Sequence, residues 1–318
     1  MAKLDSVIGF EYNSYEIRAV EMTKSGGMYN LVAYGTQALE SAVVEEGFIR
    51  DAERFSDAFL TLLREKNFNA EDIVVGVNNE NVVMRFASFP KVPDDKLRNM
   101  IFLQAQEFMP IPVQEMEMDY LVVGESVNSD DQEMVDAVLV GARKAMLEQI
   151  INVFGAAKKS IYDVEPTAFA ACRAASKASP DKCYCMLNVS NGIINFLFVK
   201  NDTMHTVRSI SIPEKHFDSV QNIYKGEATP EEITEVVDML VSELNASLSY
   251  YSVQHPMEMV DVVYFVADVG NARQIAQELQ ASVSLPVETP SFYANLGGAI
   301  DISAYNSCIS MAIQALEG

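Results

Sequence analysis

The chain has no tryptophan, three histidines and four cysteines in 318 residues, and each scarcity removes a class of chemistry. Cys172, Cys183, Cys185 and Cys308 are too few and too dispersed for a disulfide scaffold or a paired-cysteine zinc site. Cys183 and Cys185 fall on an expected strand, where we take their thiols to diverge; all four are expected to be buried and reduced. His205, His216 and His255 are scattered, and no metal site is expected. No run reaches the roughly 18 apolar residues of a membrane span. The first residues, Met1-Ala2-Lys3-Leu4-Asp5, lack the basic and apolar regions of a signal peptide, so a cytoplasmic protein is expected. Basic residues are also short: 23 Lys and Arg against 45 Asp and Glu, a net charge of -22. Such a surface repels nucleic acid and anionic lipid and suits a partner bearing Lys and Arg.

Apolar residues make up 49% of the chain, enough for two ordinary domains with large cores. Residues 5–40 read as three strands with a Ser25-Gly26-Gly27 hairpin turn, followed by a helix at about 51–66 and a buried strand, Ile73 to Val77. From 82 to 142 the character changes. A strand at 82–89 precedes a helix that begins at Pro93-Asp94-Asp95 and is stopped by Pro110 and Pro112, and two further strands follow. Helix, strand and helix follow to 177, and Ser179-Pro180-Asp181-Lys182 marks a boundary. Beyond it Tyr184 to Val199 repeats the strand-turn-strand opening of Val7 to Met22, which indicates a duplicated α/β unit around a cleft. The helix at 230–254 carries a capping box, Thr229 with Glu232, and Pro230 at its first position. A strand at 261–266 and helices at 271–281 and 303–316 close the chain.

This order resembles that of the actin/Hsp70/sugar-kinase superfamily, and within it the PilM family of type IV pilus assembly proteins, relatives of the cell-division protein FtsA. The stretches that carry the resemblance are Glu46-Gly47-Phe48-Ile49-Arg50-Asp51, Gln106 to Pro112 with Asp119-Tyr120, Asp163 to Ala170, and Ser247-Leu248-Ser249-Tyr250-Tyr251. The resemblance implies an actin-like, ribonuclease-H-like pair of domains with an FtsA-type 1C insert. Subdomain 1A would be 1–81 plus 143–178, the insert 82–142, and domain 2 179–318, with a 2B insert at about 213–258. It also implies a cytoplasmic adaptor that binds the N-terminal tail of a PilN-like inner-membrane protein, with pilus assembly ATPases as further contacts. A related type II secretion fold carries a transmembrane helix of the kind not found here. A nucleotide-binding switch in the same pilus machine, or in a related secretion complex, is the alternative.

An actin-type site needs glycine in two phosphate hairpins, so that backbone N–H groups can approach the phosphates, and aspartates for the magnesium shell. Where the family has Asp-x-Gly, this chain has Glu11-Tyr12-Asn13-Ser14 and Asn188-Val189-Ser190-Asn191-Gly192. The adenosine turn becomes Ala267-Asp268-Val269-Gly270-Asn271. Asn13, as an asparagine, can take the positive φ of the missing glycine. Glu11, Asn13, Ser14, Asn188, Ser190, Asp268 and Gly270 thus outline a degenerate cleft: no catalytic residues, no metal, no ATP hydrolysis, and weak ATP·Mg binding if any. For a peptide groove between 1A and 1C, the expected walls are Arg85, Phe86, Phe108, Met109, Ile111 and Pro112, in a methionine-rich region (Met84, Met100, Met109, Met116, Met118) suited to an adaptable surface.

Overall fold

The structure is a computed structural model and describes residues 4–190, 192–267, 271–297 and 302–318. The first half opens with β1 (Ser6–Tyr12), β2 (Glu16–Ser25) and β3 (Met28–Ala38), antiparallel neighbours in one sheet. The short pair β4 (Val44–Glu45) and β5 (Phe48–Ile49) leads into α1 (Ala52–Glu65). The Asp51 side chain caps α1 by accepting from the Arg54 amide. Parallel strands β6 (Asp72–Val77) and β10 (Ser160–Pro166) extend the sheet to the order β10-β6-β1-β2-β3. Phe10, Phe55, Phe59 and Phe154 meet edge to face beneath it, a geometry that aromatic quadrupoles favour.

Between β6 and β10 the chain makes the insert: β7 (Val82–Pro90), α2 (Asp94–Gln104), β8 (Met116–Val127) and β9 (Glu133–Arg143), with sheet order β7-β9-β8. β7 and β9 are covered on both faces, while β8 leaves one face largely exposed. Val83, Ala87, Phe89, Ala137 and Leu139 pack with Leu97 and Ile101 of α2. Met84 and Val138 point the other way, towards Leu197, Val199, Met204 and Val207 of the second half. After β9 come α3 (Lys144–Ala156), then β10 and α4 (Thr167–Ala178). α2 ends at Gln104 and passes into one 3₁₀ turn at Ala105–Glu107, short of the stop expected at Pro110.

The second half repeats the plan. β11 (Tyr184–Ser190), β12 (Ile193–Lys200) and β13 (Thr203–Ser211) are antiparallel; α5 (Phe217–Lys225) and α6 (Pro230–Gln254) follow; then come β14 (Val262–Ala267), α7 (Ala272–Ser282), β15 (Val287–Glu288) and α8 (Ala294–Gly297). The sheet order β13-β12-β11-β14-β15 matches that of the first half position by position. α6 has the expected capping box, with both hydrogen bonds present. Its buried stripe, from Ile233 to Tyr251, fills the core over β11 and β12. The 213–258 segment, expected as a separate insert, therefore supplies the crossover helix that α1 supplies in the first half.

Two further expectations change. The last helix, α9 (Asn306–Glu317), was expected in the second domain but packs on the first sheet, among Val7, Val20, Met22 and Val74. The approach is close at Gly9, where a Cβ would lie 2.0 Å from the Cys308 carbonyl oxygen. Cys183 and Cys185 share one face, in the core with α6, while Tyr184 points to the other. Side chains two residues apart in a strand fall on the same side, so divergence was the wrong expectation. All four thiols are buried and unpaired, and burial pushes that of Cys172 up to about 12.

Candidate functional site

Two concave regions lie where sites were expected: the cleft between the halves and a groove between the first half and the insert.

At the cleft, the first hairpin leaves a loop between Tyr12 and Ile17. Asn13 is not among the residues of positive φ. Its side chain holds the loop instead, Oδ1 accepting from the amides of Tyr15 (2.7 Å) and Glu16 (2.8 Å), while its own amide donates to the Glu16 carbonyl (3.0 Å). Three backbone donors of the turn are thus spent within it. The Tyr15 ring stacks on Tyr224 of α5, centroids 4.7 Å apart, and ties the loop to the second half. Beside it, Arg18 reaches into the cleft with its side chain only 10% exposed, paired with Glu11 at 3.5 Å and with Glu16. The second hairpin closes at the Ser190–Ile193 pair, and Gly192 supplies the left-handed turn residue (φ 79°).

Asn188 and Ser190 are both buried. Asn78, just after β6, donates to Asn188 Oδ1 (2.6 Å) and accepts from Asn195 Nδ2 (2.6 Å), so a chain of amides crosses between the halves. Asn188 Nδ2 ends on the Val266 carbonyl (3.3 Å). The spaces left around Glu11, Arg18, Asn188 and Ser190 are about 30 and 10 Å³. Near the mouth, beside Arg273, Thr289 and Pro290, the space is larger, about 440 Å³. Glu11, Asn13, Asn188 and Ser190 do converge here, whereas Ser14 faces the space beside α5 with Tyr15 and Tyr224. Asp268 and Gly270 lie outside the described residues.

The groove is larger, about 700 Å³, and more apolar. Helix periodicity creates one wall. Met146, Ile150, Val153 and Phe154 of α3 face the core, while Leu147, Ile151 and Gly155, four residues apart, line the groove. Ile161, Val164 and Pro166 of β10 continue that wall, and Val82, Met118, Val140 and Ala142 of the insert form the other. Charge is confined to five groups: Glu117, Asp119 and Asp163 against Arg98 and Lys159. Arg98 lies 3.7 Å from Asp119 and stacks over Phe102. Lys159 donates to the Ala70 carbonyl (2.5 Å), and burial lowers its pKa. β10 is the outermost strand of its sheet and β8 the outermost of the insert, so the groove runs between two strand edges.

None of the six residues expected to wall such a groove lines this one. Met109 and Ile111 are buried in the insert's own core, and Phe108 packs edge to face on Phe89. Phe86 packs towards the second half, half-buried Arg85 donates to the Met84 carbonyl, and Pro112 is exposed. The signal that could have found the wall of this groove is the α3 stripe at 147, 151 and 155, apolar or small on the face opposite the core.

Two five-stranded sheets of matching order around a cleft, the first carrying a three-stranded insert, define an actin-like protein. A family model for the type IV pilus assembly protein PilM matches residues 9–303, and the chain belongs to that family. Its fold is similar to that in a solved PilM-PilN type IV pilus biogenesis complex, at 18% identity and TM-score 0.80 over 100% of both chains. It is also similar to the ethanolamine utilization protein EutJ from Carboxydothermus hydrogenoformans, at 11% identity and TM-score 0.52, over 100% of this chain and 91% of that one.

Proposed function

We propose that this chain is a non-enzymatic adaptor of type IV pilus assembly, and that it takes the N-terminal cytoplasmic tail of a PilN-like inner-membrane protein in the groove between α3–β10 and the insert. The observation that carries this reading is the groove itself: about 700 Å³, apolar along its floor, with acidic groups among its few charges and a strand edge on either side. An extended peptide suits such a site, since a strand edge offers backbone pairing and the apolar walls take alternate side chains. The solved relative in complex with PilN supplies the class of partner. A tail with basic residues beside its membrane span meets Glu117, Asp119 and Asp163, and the net charge of -22 draws it in. No helix among the described residues is long and apolar enough to cross a membrane, and in this reading the partner holds the chain at the membrane's inner face. The test is a titration with the N-terminal peptide of the cognate PilN-like protein. Saturable 1:1 binding that weakens with added salt is expected; no binding, or binding indifferent to salt, counts against it.

The cleft, in the same reading, has kept the shape of a nucleotide site and lost its use. Loop amides bonded to Asn13, an Arg18 already neutralised by two carboxylates, and an amide at Asn188 leave little to hold a triphosphate and its magnesium. ATP with magnesium at a concentration no higher than its Kd stabilises by at most about 0.4 kcal/mol. A thermal-shift titration that exceeded this at modest ATP would restore the switch reading.

A further inference from the structure

Two of the chain's three histidines, fifty residues apart in sequence, meet at one place outside both regions described above. His205 lies on β13 and His255 just beyond the end of α6, with ring centroids 5.1 Å apart. Glu258, on the loop that follows, joins them. One ligand atom from each of the three lies within 4.8 Å of the others. Glu258 Oε2 is 3.1 Å from Nδ1 of His205, a nitrogen shielded from solvent that makes no aligned hydrogen bond.

We propose that His205, His255 and Glu258 form a binding site for a divalent transition-metal ion, with zinc the ion this donor set fits best. Two imidazoles and one carboxylate, with a position left for water, is a common zinc ligand set; magnesium and calcium favour all-oxygen sites. The dimensions agree. Zinc bonds of about 2.0–2.1 Å in a tetrahedron separate neighbouring ligand atoms by about 3.4 Å, close to the Glu258–His205 distance. Closing the set needs the second imidazole to approach by up to roughly 1.4 Å, within the reach of a partly exposed side chain.

The surroundings orient the carboxylate: the Tyr251 hydroxyl donates to Glu258 Oε2. The unpartnered imidazole nitrogen beside a fixed carboxylate is what an ion would satisfy. Lys200, 3.4 Å from Glu258 Oε1, balances that carboxylate while no ion is bound. A bound ion would tie β13 to the end of α6 through three side chains from two elements and a loop.

The test is calorimetric titration of the full chain with zinc, alongside thermal melts with zinc and with magnesium. The site predicts one zinc per chain, a rise in Tm with zinc and none with equimolar magnesium. Glu258→Gln and His255→Gln should each weaken zinc binding by more than about tenfold, with zinc-free circular dichroism unchanged. Should His205→Ala unfold the chain, cobalt in the wild-type protein gives a second reading through the visible absorption of a tetrahedral nitrogen–oxygen site. Absence of zinc binding, equal shifts with magnesium, or zinc binding that survives both glutamine variants would overturn the proposal.

Discussion

The cleft and the groove are both concave and both lie beside β6, yet they are built on opposite principles. In the cleft, polar side chains face one another and satisfy one another: Arg18 with Glu11 and Glu16, Asn78 with Asn188 and Asn195, Asn13 with the loop it belongs to. Almost no space remains among them. In the groove the walls are apolar and about 700 Å³ stays open. The amide chain through Asn195, Asn78 and Asn188 spans the two halves, with Asn195 Oδ1 buried and left without a hydrogen bond, so the cleft acts as a nearly fully paired brace between them. An apolar hollow between strand edges is unfinished packing, which is the condition for taking in another chain.

The widest separation between the two regions should come from Arg18→Met. It leaves two carboxylates facing a space that is largely shut off from water, at a cost of about 3 kcal/mol. We expect a lower urea midpoint at unchanged slope, and unchanged affinity for the tail peptide. Asn78→Leu is next. It strands the Asn188 oxygen and the Asn195 amide group, a loss of about 2 kcal/mol by the same measurement. Stability that did not fall in either variant would end the view of the cleft as a brace. Ile151→Glu should do the reverse. Its side chain is 57% exposed, so stability should hold within about 0.5 kcal/mol, while peptide affinity drops about tenfold, or 1.4 kcal/mol. Fluorescence anisotropy reads the affinity; tight binding to this variant would move the peptide elsewhere.

The smallest effect is a control at the start of α6. The Thr229 amide, together with Asn222, holds the Glu232 carboxyl below its ordinary pKa. A carboxyl lowered on folding stabilises above its unfolded pKa, and that contribution fades as pH falls through the folded one. Glu232→Gln should therefore melt slightly earlier than wild type at neutral pH and match it in acid. A difference that grew in acid would contradict the capping geometry.

Local chemistry made part of this legible. The capping box of α6 and the duplicated strand openings could be read directly, because each depends on residues close in sequence. The departures at the two hairpins were visible as missing glycines, but the means by which Asn13 holds its loop was not. A side-chain acceptor and a positive φ are alternatives that asparagine serves equally well. The groove was sought in the proline-bounded stretch from Phe108 to Pro112, the most distinctive one in the insert. That stretch is distinctive because it closes the insert's own core, with Met109 and Ile111 inside it. Which face an element turns outward depends on what packs against the other, and for α3 and β10 that partner lies a hundred residues away in β1 and α1.

The return of α9 to the first sheet has a consequence in time. A ribosome delivers β1 first and the Cys308 backbone that rests on Gly9 about three hundred residues later. Until then Val7, Val20, Met22 and Val74 lack the cover that α9 gives them. The first half cannot reach its final packing as an independent early product of synthesis. The nascent chain carries an apolar sheet face until α9 has emerged to cover it.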